Sequence, residues 1–229
     1  MGELGKEGRT ILFVSHNMPS IMRFCDRVVF LNQGNIIKDG STKDVISLYL
    51  NSEAGAPAER IWPQIKHAPG DDRVRLRAVR LHTIDNEVIS TFDIRKEIGI
   101  DIEYWNLKED LRLVPNLHFY NEDGTCIFIS TNTSDHKWYN QPHPVGLFKS
   151  TCWIPGNLLS EGLVTVTAAV STINPTEACV VERNVVSFSV KDQSEGDGAR
   201  GQIATNFYGV VRPLLEWSMH YERSNDLQL

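Results

Sequence analysis

The chain has 229 residues, a formal net charge of −6 and an apolar fraction of 41%. That length accommodates one large or two small domains, at least one with a proper core. The acidic balance excludes a nucleic-acid binder that works by neutralising phosphates, and it excludes a polybasic membrane anchor.

Residues 10–14 are a short continuous apolar run, as in a strand buried on both faces. Residues 19–25 read as a helix with Ile21, Met22 and Cys25 on one side. Residues 27–31 are a second strand, Asn32-Gln33-Gly34-Asn35 is a tight turn, and Ile36-Ile37-Lys38 is its hairpin partner. After a turn at Asp39-Gly40, Ser41 or Thr42 caps a helix that carries Val45, Ile46, Leu48, Tyr49 and Leu50. Residues 51–72 are small, polar and Pro/Gly-containing, and read as a linker in which Trp62 stands out.

From Arg73 the hydrophobic period switches to two. Val74, Leu76 and Ala78 alternate with Arg73, Arg75 and Arg77; the phase then slips to Val79 and Leu81, which predicts a bulge. Ile98, Ile100, Ile102 and Tyr104 alternate with polar neighbours, and Leu117 and Phe119 do the same after them. Further strands are expected at 125–130, 148–154, 164–170 and 185–190. Seven or eight short strands predict an Ig-like or jelly-roll antiparallel β-sandwich. The expected division is 1–50 for the α/β part, 51–72 for the linker, 73–218 for the sandwich and 219–229 for a tail. The stretch from Gly209 to Trp217 reads as a last strand or an extended arm.

Cys25, Cys126, Cys152 and Cys179 are widely spaced, with no CxxC pair, and read as buried free thiols rather than zinc ligands. No apolar run approaches the ~20 residues of a membrane span, and the first ten residues do not resemble a signal peptide.

Phe13-Val14-Ser15-His16-Asn17-Met18, followed by the run from Asp26 to Gly34, Ile36-Ile37 and Asp39-Gly40, resembles the switch-histidine loop and closing segment of ABC-transporter nucleotide-binding domains. The resemblance implies that His16 occupies the switch-histidine position, which contacts the ATP γ-phosphate and helps position the attacking water. The phosphate loop GxxxxGK[ST] does not occur in the sequence, nor do the magnesium-holding strand end and the family's signature stretch. The expectation is a truncated reading frame or an artificial start, with no ATPase activity and no cofactor for this polypeptide alone. ATP and magnesium belong to the full-length family.

Phe92-Asp93-Ile94, Ile98-Gly99-Ile100, Trp153-Ile154-Pro155-Gly156-Asn157 and Gly209-Val210-Val211-Arg212-Pro213 resemble the carboxy-terminal extension of the ATPase subunits that export O-antigen-type polysaccharides in bacteria. This second resemblance implies a β-sandwich that dimerises and recognises the exported glycan. The expected function is non-catalytic recognition of a bacterial surface polysaccharide, coupled to the transporter ATPase. The alternative is a dimerisation and docking domain without glycan contact. The partners implied are the polysaccharide, the membrane-spanning permease and a second copy joined through an exchanged carboxy-terminal strand, with no nucleic acid. The location implied is cytoplasmic, peripheral to the inner membrane through the permease.

Sugar rings are held by aromatic side chains on their C–H faces and by polar groups on their hydroxyls. The alternation places Asp101, Glu103 and Trp105 outward on one strand and Asn116, His118 and Tyr120 outward on the next. With 106–113 as connecting loop, the two strands are expected to pair antiparallel, Asp101 near His118 and Glu103 near Asn116. The resulting face suits a neutral or aminated glycan, and its acidity disfavours an anionic one. An ordinary solvated sheet face is the plainer reading of the same residues. Trp138 and Tyr139, in the 131–145 loop beside Asp135, His136 and Lys137, are further candidates, or else cover one end of the sandwich. Ser187 and Ser189 offer a weaker second polar face. Trp153, Arg212 and Trp217 read as core, interface or exchanged-strand residues. Asp135, His136 and His143 lack the spacing of a metal site. Asp101 and Glu103 do not read as a glycosidase pair, and no GxSxG elbow is present.

Overall fold

Ser41 shows how local chemistry starts an element. Its hydroxyl accepts from the Asp44 N–H (3.2 Å) and donates to the Asp44 carboxylate (2.7 Å), a reciprocal cap on the helix that begins at the next residue. That helix, α2 (Thr42–Glu53), follows α1 (Met18–Phe24) and the hairpin β1 (Arg27–Asn32) and β2 (Asn35–Ser41). Gly34 turns the hairpin at φ +81°, a conformation glycine adopts without penalty. Ile21 and Ile46 form a small core with Phe13, Cys25, Val28 and Tyr49 around it, and Phe30 meets Tyr49 edge-on. Leu31 and Ile36 of the hairpin are exposed. The structure, a computed structural model, describes residues 12–14, 18–32, 34–53, 56–192, 199, 201 and 209–220.

The remaining strands are β3 (Glu59–Ile61), β4 (Val74–His82), β5 (Thr91–Asp93), β6 (Ile98–Asn106), β7 (Leu113–Asn121), β8 (Cys126–Thr131), β9 (Gly146–Ile154), β10 (Gly162–Thr172) and β11 (Ala178–Lys191). They make two sheets, one ordered β3-β4-β6-β9 and one ordered β5-β11-β10-β7-β8. Among the described residues only the short β5–β11 pair is parallel. Glu59–Ile61, inside the stretch expected to be a linker, pairs with β4, and Trp62 packs against the core.

The apolar half of each alternation forms one core between the sheets. Ile98, Ile100, Ile102 and Tyr104 from β6 meet Leu117 and Phe119 from β7, Val164 and Val166 from β10 and Phe188 from β11. Phe119 stacks on Phe128 at 4.4 Å between ring centres. The register of β4 against β6 slips between Leu76 and Ala78, so Arg77 is the extra residue. This bulge lets Val74 and Leu76 face the core and Val79 and Leu81 face it too.

One expectation about pairing is corrected. β6 and β7 do not form a hairpin: β6 lies between β4 and β9, and β7 lies between β10 and β8 in the other sheet. The six residues between them cross from sheet to sheet. Either route gives the same alternation in each strand, so the pattern alone did not separate them. The cysteines are also corrected in part, because Cys126 is exposed; Cys179 is buried and the other two are half-buried.

Candidate functional site

β9 and β8 each end a sheet, so among the described residues each has one free edge. The two edges face each other, with Cys152 Sγ 3.8 Å from Ser130 Oγ. Beside them lies a groove of about 420 Å³, a size that suits a small ligand or part of a chain. One wall is β9, with Ser150 and Cys152 from its inner side and Lys149, Thr151 and Trp153, alternate residues of its outer side. Facing them are Asn116, Ser130 and Thr131 from the other sheet and Asn132, Ser134 and Asp135 from the loop after β8. The floor reaches the core at Ile100, Ile102 and Leu117. The Asn132 side-chain oxygen is buried and has no hydrogen-bond partner among the described residues. Such an acceptor costs free energy unless a ligand or water serves it.

The β9 wall is held from behind by Asp101, one strand further in. Lys149 Nζ lies 2.7 Å from Asp101 Oδ2, and the Thr151 hydroxyl donates to Asp101 Oδ1 at 2.7 Å. Arg80 stands 3.8 Å from Oδ2. His82 Nε2 is 3.2 Å from Oδ1 but off the line of a hydrogen bond, while Nδ1 is 2.9 Å from the Thr83 carbonyl. Burial pushes the Asp101 carboxyl up; hydrogen bonds from Lys149 and Thr151, with the charges of His82 and Lys149, outweigh it and hold the group below the usual carboxylate range.

Trp153 meets the His82 ring edge-on, 5.1 Å between centres, which fixes the indole at the rim while leaving it 41% exposed. Gly99 makes room for this arrangement. A Cβ there would fall 2.4 Å from His82 Cε1.

The residues expected from sequence are distributed differently. Asp101 and Glu103 are on an outer face, as expected, yet both are buried. Glu103 binds Arg77 and Arg80, and Arg80 also binds Glu59. Their acidity is therefore neutralised within the sheet, and the argument that the face repels anions does not apply. Trp105 is half-buried on the same face, level with Arg75 and Leu147. Asn116, His118 and Tyr120 sit on the other sheet, half-buried beside Ala169, Thr167 and Thr165. His118 Nε2 lies 3.0 Å from Asn116 Oδ1, and burial lowers the affinity of His118 for a proton. Only Asn116 of these three reaches the groove. Ser187 is buried and donates to the Ala56 carbonyl at 3.1 Å.

Trp138 lies 5.3 Å from the ring of His143 and 5.3 Å, edge-on, from Phe148. It covers an end of the sandwich, and Tyr139 beside it is half-buried. The same loop delivers Asn132, Ser134 and Asp135 to the groove. His16 lies outside the described residues. Among those described, no three His, Cys, Asp or Glu side chains are arranged for a metal ion, and no helix is long and apolar enough to cross a membrane. The phosphate loop GxxxxGK[ST] that a nucleotide site needs does not occur in the sequence.

Sequence reasoning missed Lys149 and Thr151, and it assigned Trp153 to core or interface. The alternation of β9 already places all three on one outward side. What it does not carry is that β9 is an edge strand.

No family model matches the chain. It is 46% identical over 52 residues to the O-antigen export system ATP-binding protein RfbB of Klebsiella pneumoniae, which is 23% of this chain and 21% of that protein. It is 47% identical over 49 residues to the teichoic acids export ATP-binding protein TagH of Lactococcus lactis, 21% of this chain and 10% of that protein. The chain thus spans about a fifth or less of the length of these curated relatives. Its structure superposes on the crystal structure of the C-terminal domain of Wzt with a TM-score of 0.54 and 12% identity, covering 74% of this chain and 95% of that one. At that identity the likeness establishes the fold, a mainly β sandwich of the Wzt C-terminal type. Both resemblances read from the sequence are borne out, to the ATP-binding proteins of polysaccharide exporters and to their carboxy-terminal domain.

Proposed function

We propose that this chain, which joins similarity to O-antigen and teichoic acid export ATP-binding proteins with a Wzt-type sandwich, recognises a bacterial surface polysaccharide in the groove between β8 and β9. The observation that carries this reading is the groove itself. It offers an exposed, fixed indole, a ring of hydroxyls and amides, and a buried Asn132 oxygen that lacks a partner among the described residues. These are the elements that hold a sugar ring: an apolar platform and a few placed polar groups. In a full exporter the domain works in the cytoplasm beside the membrane-spanning permease, and binding there reports the glycan to the ATPase.

Titration of the full chain with purified O-antigen and teichoic acid preparations tests the reading. Saturable binding that is lost in Trp153→Ala supports it. Absence of binding to every preparation by a folded protein overturns it.

A second reading is favoured by the carboxy-terminal arm. Val211 bridges to Leu159, and the Arg212 guanidinium is buried against Asp192 at 3.1 Å. Beyond this anchor residues 213–220 form no regular element and all are exposed, among them Leu214, Leu215, Trp217 and Met219. Large apolar side chains left uncovered among the described residues suit exchange with a second copy. Deleting residues 214–229 is expected to turn a dimer into a monomer in light scattering. A dimer that survives the deletion removes this role from the arm.

A further inference from the structure

The groove has a polarity that its own wall does not set. Thr151 has one hydroxyl proton, and it is spent on Asp101 Oδ1 at 2.7 Å. What Thr151 has left is acceptor capacity. Lys149 carries three ammonium protons, one of them directed at Asp101 Oδ2 at 2.7 Å, so it keeps donors. One carboxylate grips both groups, which places a donor and an acceptor side by side on β9, next to Trp153. The Lys149 charge is already matched by Asp101. The Asp101 side chain is 3% exposed, so it is out of a ligand's reach and acts through its two neighbours.

From this arrangement, and resting on the glycan-recognition reading above, we infer that Asp101 is a positioning residue that makes the groove select free hydroxyl groups of a neutral sugar. A hydroxyl donates to Thr151 and accepts from Lys149 at the same time. A carboxylate or phosphate only accepts, so it meets the Thr151 lone pairs without a proton to offer. An ammonium only donates, and it meets Lys149. An O-methyl ether accepts but cannot donate, and it adds bulk. Two adjacent hydroxyls on a ring stacked against Trp153 satisfy the wall completely. Of the neutral or aminated glycan expected from the sequence, this arrangement favours the neutral, unsubstituted one.

The probe is an array of neutral hexose oligosaccharides together with their O-methylated, amino-sugar and uronate counterparts, read with the full chain. Wild type is expected to favour the neutral, free-hydroxyl members by about tenfold. Thr151→Val is expected to remove most of that ratio, and Thr151→Ser to keep it. Asp101→Asn is expected to collapse the ratio as well; a purely structural role for Asp101 would lower the melting temperature and leave the ratio alone. If Asp101→Asn does not fold, the Thr151 pair decides, since that side chain is exposed. Binding that Trp153→Ala abolishes, but with a ratio untouched by Thr151→Val or with uronates preferred, overturns this inference and leaves the recognition reading standing. A folded wild type that binds nothing on the array, and none of the purified polysaccharides, brings both down.

Discussion

The two sheets turn different outer faces to their surroundings. On the β3-β4-β6-β9 sheet, Glu59, Arg77, Arg80, Asp101, Glu103 and Lys149 interlock, and two of the carboxylates are buried. On the β5-β11-β10-β7-β8 sheet, the corresponding positions hold Thr165, Thr167 and Ser187, small hydroxyls beside His118 and Tyr120. Both faces are the polar half of an alternating pattern. The first is an ion lattice that fixes the groove wall, and the second is a row of neutral hydroxyls that are themselves buried. An outer position is thus not a solvated one; its cross-strand neighbours decide that.

Glu103→Ala tests the lattice most severely. It leaves Arg77 and Arg80 without their shared carboxylate, and we expect a loss of about 2–3 kcal/mol in urea unfolding, reduced from the fully buried case because both arginines are partly exposed. A loss below about 0.5 kcal/mol would mean that the lattice is decorative. Gly99→Ala comes next. The new methyl collides with the buried His82 ring, and the expected cost is about 1–3 kcal/mol, with weaker glycan binding because Trp153 leans on that ring.

Trp153→Ala should reduce glycan affinity about tenfold or more, roughly 1.4 kcal/mol by titration calorimetry, with little change in stability. On the other sheet, His118→Ala and Tyr120→Phe should each stay within about 1 kcal/mol in stability and leave binding unchanged. Equal losses of affinity on both sheets would dissolve the distinction between the faces.

The smallest effect is in acid, and each sheet carries one contributor. Asp93 on β5 receives hydrogen bonds from the Arg95 side chain and backbone, and its carboxyl is lowered to about 2 against the opposing effect of burial. Asp101 on β6 is lowered by Lys149 and Thr151, again against burial. A carboxyl depressed in the folded state stabilises above its unfolded value, about 4, and that share is lost as pH falls through the folded value. Urea midpoints should therefore decline from about pH 4 toward pH 2, and Asp93→Asn should flatten part of the decline. A midpoint that stays level over that range would show that neither ion pair contributes.

Much of the architecture was legible in the residues. The period of two in Ile98 to Tyr104, Val164 to Val170 and Val186 to Val190 gave strands and their inward faces, and all these apolar residues lie in the core. The phase slip at Ala78-Val79 gave a bulge within one residue of Arg77, where the register shifts. The hairpin and capped helix before residue 54 followed from Gly34 and Ser41. The site was less legible. Asp101, Glu103 and Trp105 were correctly put on one face, but they were joined to Asn116, His118 and Tyr120 of the wrong sheet.

The sequence by itself determined that this chain has an α/β segment and a β-sandwich, and which side chain of each strand faces inward, because burial of apolar surface acts on every second residue whatever the partner strand. The tertiary structure alone decided that β9 and β8 are edges facing each other, and that Asp101 lies next to Lys149 and Thr151 rather than His118. Strand partnership depends on contacts between residues about 50 positions apart, such as Asp101 and Thr151, and a local alternation carries no record of them.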